Sequence, residues 1–161
     1  MDVLDDEILN LWRVLNLNSV FYIMVGGFAT NLHGFSRTTA DMDIWIKDTV
    51  ENRKNLRRSL TDMGLGDFEV IESTQFVAGW SSIALNSGFE LDIMTELKGL
   101  PQDRFDECFE KASTAVIAEV PIKFLHIQQL IESKKAAARP KDLIDIIELE
   151  KIRKLNPGSG D

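Results

Sequence analysis

A single cysteine, Cys108, leaves no second thiol in the chain for a disulfide. Two histidines, His33 and His126, add too few ligands to complete a structural zinc site. No apolar run approaches the ~18 residues that a membrane-spanning helix requires. Basic residues are scarce as well: 18 Lys and Arg stand against 26 Asp and Glu, a net charge of −8. That balance argues against a protein that grips duplex nucleic acid, whose affinity comes largely from neutralising phosphates. It leaves room for a small anionic ligand held locally with metal. The acidic start, Met1–Glu7, is the opposite of a basic-then-apolar secretory leader, so a cytoplasmic location is expected.

What is present is ordinary for a folded protein. With 161 residues, 44% of them apolar, the chain can bury one core, and a single domain over residues 1–155 is expected. Only Asn156–Asp161 is low in complexity and reads as a frayed tail.

Leu4–Leu15 carries apolar residues at helical spacing. Phe21–Val25 is a short apolar run closed by Gly26-Gly27, which predicts a buried strand followed by a short helix over Phe28–Leu32. Asp41–Ile46 alternates strictly and predicts a strand, and Asn52–Met63 a helix. Phe68–Ile71, Phe76–Ala78, Ser82–Leu85 and Phe89–Met94 read as strands, the last two joined by the turn signal Asn86-Ser87-Gly88. Arg104–Ala112 predicts a helix and Ala115–Ile117 a short strand. Two helices follow, Ile127–Ala138 and Lys141–Lys154, divided at Arg139-Pro140. Strands in the middle with helices at both ends indicate an α+β class, a mixed sheet flanked by helices.

The chemistry concentrates in Asp41-Met42-Asp43-Ile44-Trp45-Ile46. On a strand Asp41, Asp43 and Trp45 share one face, while Met42, Ile44 and Ile46 point into the core. Two carboxylates ~5 Å apart at an effective dielectric of ~20 repel by about 3 kcal/mol, a penalty that a hard divalent cation reverses. The competing reading is a solvated strand face. In Phe89–Met94 a third acid, Asp92, shares a face with Glu90 and Met94; if the two strands are neighbours, either acid can join the cluster. Three acids in an apolar setting can hold two metal ions, one for the attacking oxygen and one for the leaving oxygen.

Gly26-Gly27 between a strand and a helix start can admit a phosphate closely, or can simply make a tight turn. Neither this pair nor Gly64-Leu65-Gly66 fits dinucleotide-binding or Walker spacing. Arg37, Thr38 and Thr39 precede the acid pair, and Arg37 could fork onto phosphate or onto a neighbouring acid. Lys134, Lys135, Arg139 and Lys141 form the one basic cluster. They either solvate a helix end, or Lys134 or Lys141 reaches a phosphate. His33 and His126 read as helix-end residues with local hydrogen bonds, and no Ser or Cys nucleophile is paired with either. Trp12, Trp80 and Phe28 are expected in the core, whereas Trp45 could border a bound base.

Gly26-Gly27, thirteen residues, Asp41-x-Asp43 on a hydrophobic strand and a later Asp92 together resemble the nucleotidyltransferase superfamily, of which DNA polymerase beta is a large member. The run from His33 to Asp43 resembles small bacterial members related to antibiotic and toxin–antitoxin nucleotidyltransferases. Leu130-Ile131, Lys134, Ala136, Arg139, Lys141-Asp142 and Asp145-Ile146 are similar to the helical segment that follows the sheet in those proteins. The resemblance covers roughly Phe21 to Ile152.

It implies that Asp41, Asp43 and Asp92 hold two Mg²⁺ or Mn²⁺ ions, with Asp92 orienting or deprotonating an acceptor hydroxyl. It implies that Gly26 and Gly27 contact the triphosphate of a nucleoside triphosphate. A nucleoside monophosphate would pass to an acceptor (a small molecule, a protein or an RNA end), and pyrophosphate would leave. The alternative is a non-catalytic module of the same fold, such as an antitoxin that binds a partner protein. A nucleotide sensor without turnover is a third reading.

Overall fold

The computed structural model describes residues 6–36, 39, 41–77 and 81–156. The elements run α1 (Asp6–Leu17), β1 (Tyr22–Val25), α2 (Gly26–Leu32), β2 (Asp41–Ile46), α3 (Val50–Asp62), β3 (Ser82–Ala84), β4 (Glu90–Met94), α4 (Phe105–Lys111), β5 (Ser113–Ile117), β6 (Val120–Phe124), α5 (Ile127–Ala137) and α6 (Pro140–Leu155). The strands form one mixed sheet in the order β3-β4-β2-β1-β6-β5. This is the α+β arrangement that the order of patterns implied.

The middle of the sheet follows from its residues. All four side chains of β1 are buried, as expected of a central strand that runs as an unbroken apolar segment. β1 pairs antiparallel with β2 from Tyr22↔Ile46 to Val25↔Asp43, and parallel with β6 at Met24↔Phe124. β2 pairs parallel with β4 from Asp41↔Glu90 to Trp45↔Met94. On one face Met42, Ile44, Leu91 and Ile93 are fully buried. The other face is divided along its length: Trp45 is also fully buried, edge-on against Phe105 of α4 at 5.2 Å, while Asp41 at the opposite end is exposed.

Two hairpins show how turn chemistry sets register. Between β3 and β4, Gly88 takes φ +92°, Gly88 N–H donates to Leu85 O (3.1 Å), and Leu85 N–H donates to Phe89 O (2.7 Å). Glu7 of α1 clamps this turn, accepting from the backbone N–H of Ser87 (2.9 Å) and Asn86 (3.1 Å) and from the Ser87 hydroxyl (2.8 Å). Between β5 and β6 the loop is Ala118-Glu119, both in the left-handed region at φ +48° and +68°. Such a turn normally uses Asn-Gly.

Several sequence expectations are corrected. Phe68–Ile71 is not a strand; Glu69–Glu72 winds as a 3-10 turn packed on α3, with Ile71 buried in the core as its apolar anchor. Phe76 and Val77 lie outside any strand, and Ala78 and Trp80 lie outside the described residues. Helix α2 begins at Gly26 rather than Phe28, so the glycine pair forms its first turn. Strand β6 was not anticipated, since Pro121 interrupts its pattern and its turn lacks the usual residues. The last helix starts with Pro140 at its first position, a place where the missing N–H is harmless. Among the described residues no helix is long and apolar enough to cross a membrane.

Candidate active site

Parallel pairing of β2 with β4 sets Asp43 directly opposite Asp92 and Asp41 opposite Glu90. Adjacent strands are about 4.8 Å apart, and registered residues project to the same side. Four acidic side chains therefore share one patch of the sheet, bounded on its inner side by Trp45 and Met94. Asp92 is buried and Asp43 partly so, whereas Asp41 and Glu90 lie at the open end. Between the two acids of β4, the structure thus favours Asp92 as the one held inside.

The electrostatics agree with the packing. Burial, then the charge of Asp92, then that of Asp41, push the Asp43 carboxyl up to about 6, while Lys141 and Arg139 pull it down. The α5–α6 corner is therefore near enough to act on this carboxylate.

Gly26 is the other feature of the patch. Its φ of +68° suits glycine, and a Cβ built on it would overlap Asp43 Oδ2 and come within 3.1 Å of Asp43 Cγ. The Asp43 carboxylate occupies the volume a side chain at position 26 would need. Thr30 Oγ1 donates to Gly26 O at 3.0 Å and holds this first turn. Gly27 is buried in the same turn.

Around this patch, supporting contacts fix the strands. Trp45 Nε1 donates to Thr95 O (2.7 Å), and Gln102 Nε2 donates to both Ile46 O (3.0 Å) and Thr95 O (2.6 Å), which ties the ends of β2 and β4 together. Asn52, 2% exposed, donates to Phe21 O (3.0 Å) and Lys47 O (2.7 Å) and accepts from Phe21 N–H (2.7 Å). One buried amide thus locks the start of β1 to the end of β2. Nothing in the helical pattern around Asn52 distinguishes it from a surface residue.

Other sequence candidates fall differently. Trp45 is core and does not border the patch as an open platform. Thr39 donates its hydroxyl to Asp41 O at 3.1 Å, a local backbone bond. Arg37 and Thr38 lie outside the described residues. Lys134 is buried, with Nζ 2.8 Å from Asp145 Oδ2 and 3.8 Å from Asp142 Oδ1, so its charge is matched inside the protein. Lys135 pairs with Glu150 at 3.4 Å on the surface. Lys141 is exposed on the first turn of α6 and acts on Asp43. His33 Nε2 lies 2.7 Å from Leu125 O, a partner distant in sequence rather than local, and burial lowers the pKa of its ring. His126 caps α5, its Nδ1 accepting from Gln128 N–H at 3.1 Å. Arg139, read from sequence as part of the basic cluster at a helix end, forks onto Asp142 through Nε (2.6 Å) and a terminal nitrogen (3.1 Å). Pro140 is the available signal: it forces the preceding residue off the helix, and Arg139 takes the N-cap with extended backbone.

The donor set suits a hard cation. It is made of carboxylates alone, and burial together with their mutual repulsion raises Asp43. Among the described residues no three His, Cys, Asp or Glu side chains converge tightly enough to cage a metal unaided. A cation held here would complete its shell with phosphate oxygens and water, as Mg²⁺ commonly does.

The sequence matches no protein-family model and no curated protein. Solved structures do match. The lincosamide antibiotic adenylyltransferase LnuA, in its lincomycin-bound form, superposes with a TM-score of 0.60 at 15% identity, over 94% of this chain and 99% of that one. An antigenic nucleotidyltransferase-like protein from Paracoccidioides brasiliensis gives 0.54 at 17% identity, over 90% and 76%. The antibiotic-resistance factor ANT(2'')-Ia gives 0.52 at 16%, over 96% and 85%. At such identities the likeness is one of architecture, and by architecture this chain has a nucleotidyltransferase-like fold.

Proposed function

We propose that the protein transfers a nucleoside monophosphate from a nucleoside triphosphate to the hydroxyl of a small acceptor molecule. The reading rests on one observation: Asp43 and Asp92 stand opposite each other on paired strands, with Gly26 pressed against the Asp43 carboxylate. That one neighbour in fold is a lincosamide antibiotic adenylyltransferase and another an antibiotic-resistance factor supports a small hydroxylated acceptor.

Asp41, Asp43 and Asp92 would hold Mg²⁺ or Mn²⁺. Bound there, such ions supply positive charge to the triphosphate and acidify a coordinated hydroxyl. Asp92 takes the acceptor proton. The acceptor oxygen then forms a bond to the α-phosphorus, the bond from that phosphorus to the β-bridging oxygen breaks, and pyrophosphate leaves with the electron pair. Lys141, exposed on the first turn of α6, would meet negative charge developing on phosphate oxygens.

The test is transfer from each of the four α-³²P-labelled nucleoside triphosphates, with Mg²⁺ or Mn²⁺, to a whole cell extract that is afterwards separated into small molecules, protein and RNA. Label should move to a small product, and Asp43→Asn should abolish it. Label found in protein or RNA would reassign the acceptor, and no transfer to any fraction would refute the reading.

A second reading, a non-catalytic module bound to a partner protein, is favoured by one specific feature. Leu143, Ile144 and Ile147 of α6 are 53%, 60% and 56% exposed on neighbouring turns, more apolar surface than a lone helix normally shows water. A stable complex without label transfer would select it.

A further inference from the structure

The sheet ends differently at its two edges. At one edge β3 has only three residues, too few to offer much to an approaching strand. At the other, β5 has five, Ser113-Thr114-Ala115-Val116-Ile117, with none of the charges or prolines that usually protect an exposed edge. Thr114, Val116 and Ile117 are β-branched, and Val116 is 69% exposed. Among the described residues nothing hydrogen-bonds to β5 except its neighbour β6.

The β5–β6 ladder decides which backbone groups are left over. The two-residue turn Ala118-Glu119 closes on the bonded pair Ile117↔Val120, and bonded and non-bonded pairs alternate from there. Val116↔Pro121 and Thr114↔Lys123 are therefore non-bonded pairs, which suits Pro121, since it has no N–H to give. Asn16 Nδ2 donates to Pro121 O at 2.8 Å from the α1 side, so that carbonyl does point away from β5. Thr114 and Val116 accordingly turn their N–H and C=O away from β6, along the open edge.

The charges flanking this edge are self-complementary. Lys111 ends α4 four residues before Ala115, and Glu119 lies four residues after it. Both are exposed, and neither is held in an ion pair among the described residues. Lys111 acts on Glu107, but Glu107 is itself bound by Arg104 at 2.7 Å. Glu119 sits in left-handed backbone (φ +68°), a place glycine fills at less cost.

We propose that β5 pairs antiparallel with β5 of a second copy about a two-fold axis at Ala115, joining the two sheets into one. Such an isologous pairing sets residues equally far from Ala115 against each other. Thr114 of each copy then exchanges N–H···O bonds with Val116 of the other, and their β-branched side chains meet on one face. Lys111 of each copy faces Glu119 of the other. An axis at Thr114 would set Lys111 against Ile117, and an axis at Val116 would set Glu119 against Ser113, so only Ala115 matches the charges. The patch of Asp43 and Asp92 lies on β2 and β4, separated from β5 by β1 and β6, and stays open in the pair.

Sedimentation velocity from about 1 to about 300 µM covers the weak association expected of so narrow an interface. Wild type should pass from monomer to dimer within that range. Val116→Pro removes an outward N–H without touching the β6 ladder, and should leave only monomer with an unchanged circular dichroism spectrum. Lys111→Glu places like charges together on both sides of the axis and should weaken the dimer about five- to fiftyfold. Adding Glu119→Lys to it should restore the affinity to within about twofold of wild type. This charge exchange decides the outcome if Val116→Pro fails to fold. Ala115→Cys, opposite its own copy at a Cα separation of about 4.5 Å, should form a covalent dimer in oxidised glutathione, whereas Ser113→Cys should not. A wild type still monomeric at the highest concentration, a dimer that survives in folded Val116→Pro, or a charge reversal that the second substitution does not rescue would overturn the proposal.

Discussion

Replacing Asp43 with Asn removes one negative charge from a patch that also carries Asp41, Glu90 and Asp92, and barely alters the side-chain shape. Burial, with Asp92 and Asp41 adding to it, raises the Asp43 carboxyl from 3.8 to about 6. Between those two values the folded protein keeps a proton that the unfolded chain has released. Stability therefore falls as pH rises through this window, by about 1.4 kcal/mol per pH unit, to a deficit of at most about 3 kcal/mol above pH 6. An asparagine has no such deficit. Asp43→Asn should match wild type near pH 4 and exceed it by about 1–3 kcal/mol at pH 7–8, or at most about 10 °C in melting temperature for a chain of this size. Urea and thermal unfolding followed by circular dichroism from pH 4 to 8, with EDTA present, measure the difference. Adding Mg²⁺ or Mn²⁺ in place of EDTA should narrow the gap, since a ligand of the folded wild type alone stabilises it by mass action. A gain independent of pH, or a loss of stability at pH 8, would refute the argument that crowded carboxylates burden the fold for the sake of the site.

Gly26→Ala should cost about 1–2 kcal/mol for left-handed backbone alone, and should displace the Asp43 carboxylate; urea titration and label transfer would show lower stability and at least about tenfold lower activity. Lys134→Ala removes the Lys134 ammonium from buried Asp145 and should destabilise by up to about 3–5 kcal/mol in the same titration, whereas no loss would contradict the buried pair. Glu119→Gly relieves a left-handed residue in the β5–β6 turn and should raise stability by about 0.5–1 kcal/mol without changing nucleotide binding.

Where local pattern and tertiary role coincide, the chain could be read directly. Asp41–Ile46 alternates because one of its faces is core, and β2 has those same bounds. The Asn86-Ser87-Gly88 turn carries its own left-handed glycine, which is why the β3–β4 hairpin was legible. Reading failed where a local pattern had two outcomes. Phe68–Ile71 has the composition of a strand, but its apolar residues are taken up by packing on α3, and it closed as a turn. Strand β6 hid behind Pro121 and an Ala-Glu turn that bears positive φ without the residues that usually signal it.

The same division runs through the site. Composition and periodicity by themselves determined an acidic α+β chain with three aspartates and a glycine pair at suggestive spacing. The pairing of β2 with β4, residues almost fifty positions apart, came only from folding, because a strand's neighbour is chosen by the packing of the whole sheet. So too did the fates of the basic residues. Lys134 and Arg139 look alike in sequence, yet the helix corner buries the first against Asp145 and leaves the second half exposed on Asp142. Charge can be counted along a chain, but which charges meet is decided by where the backbone turns.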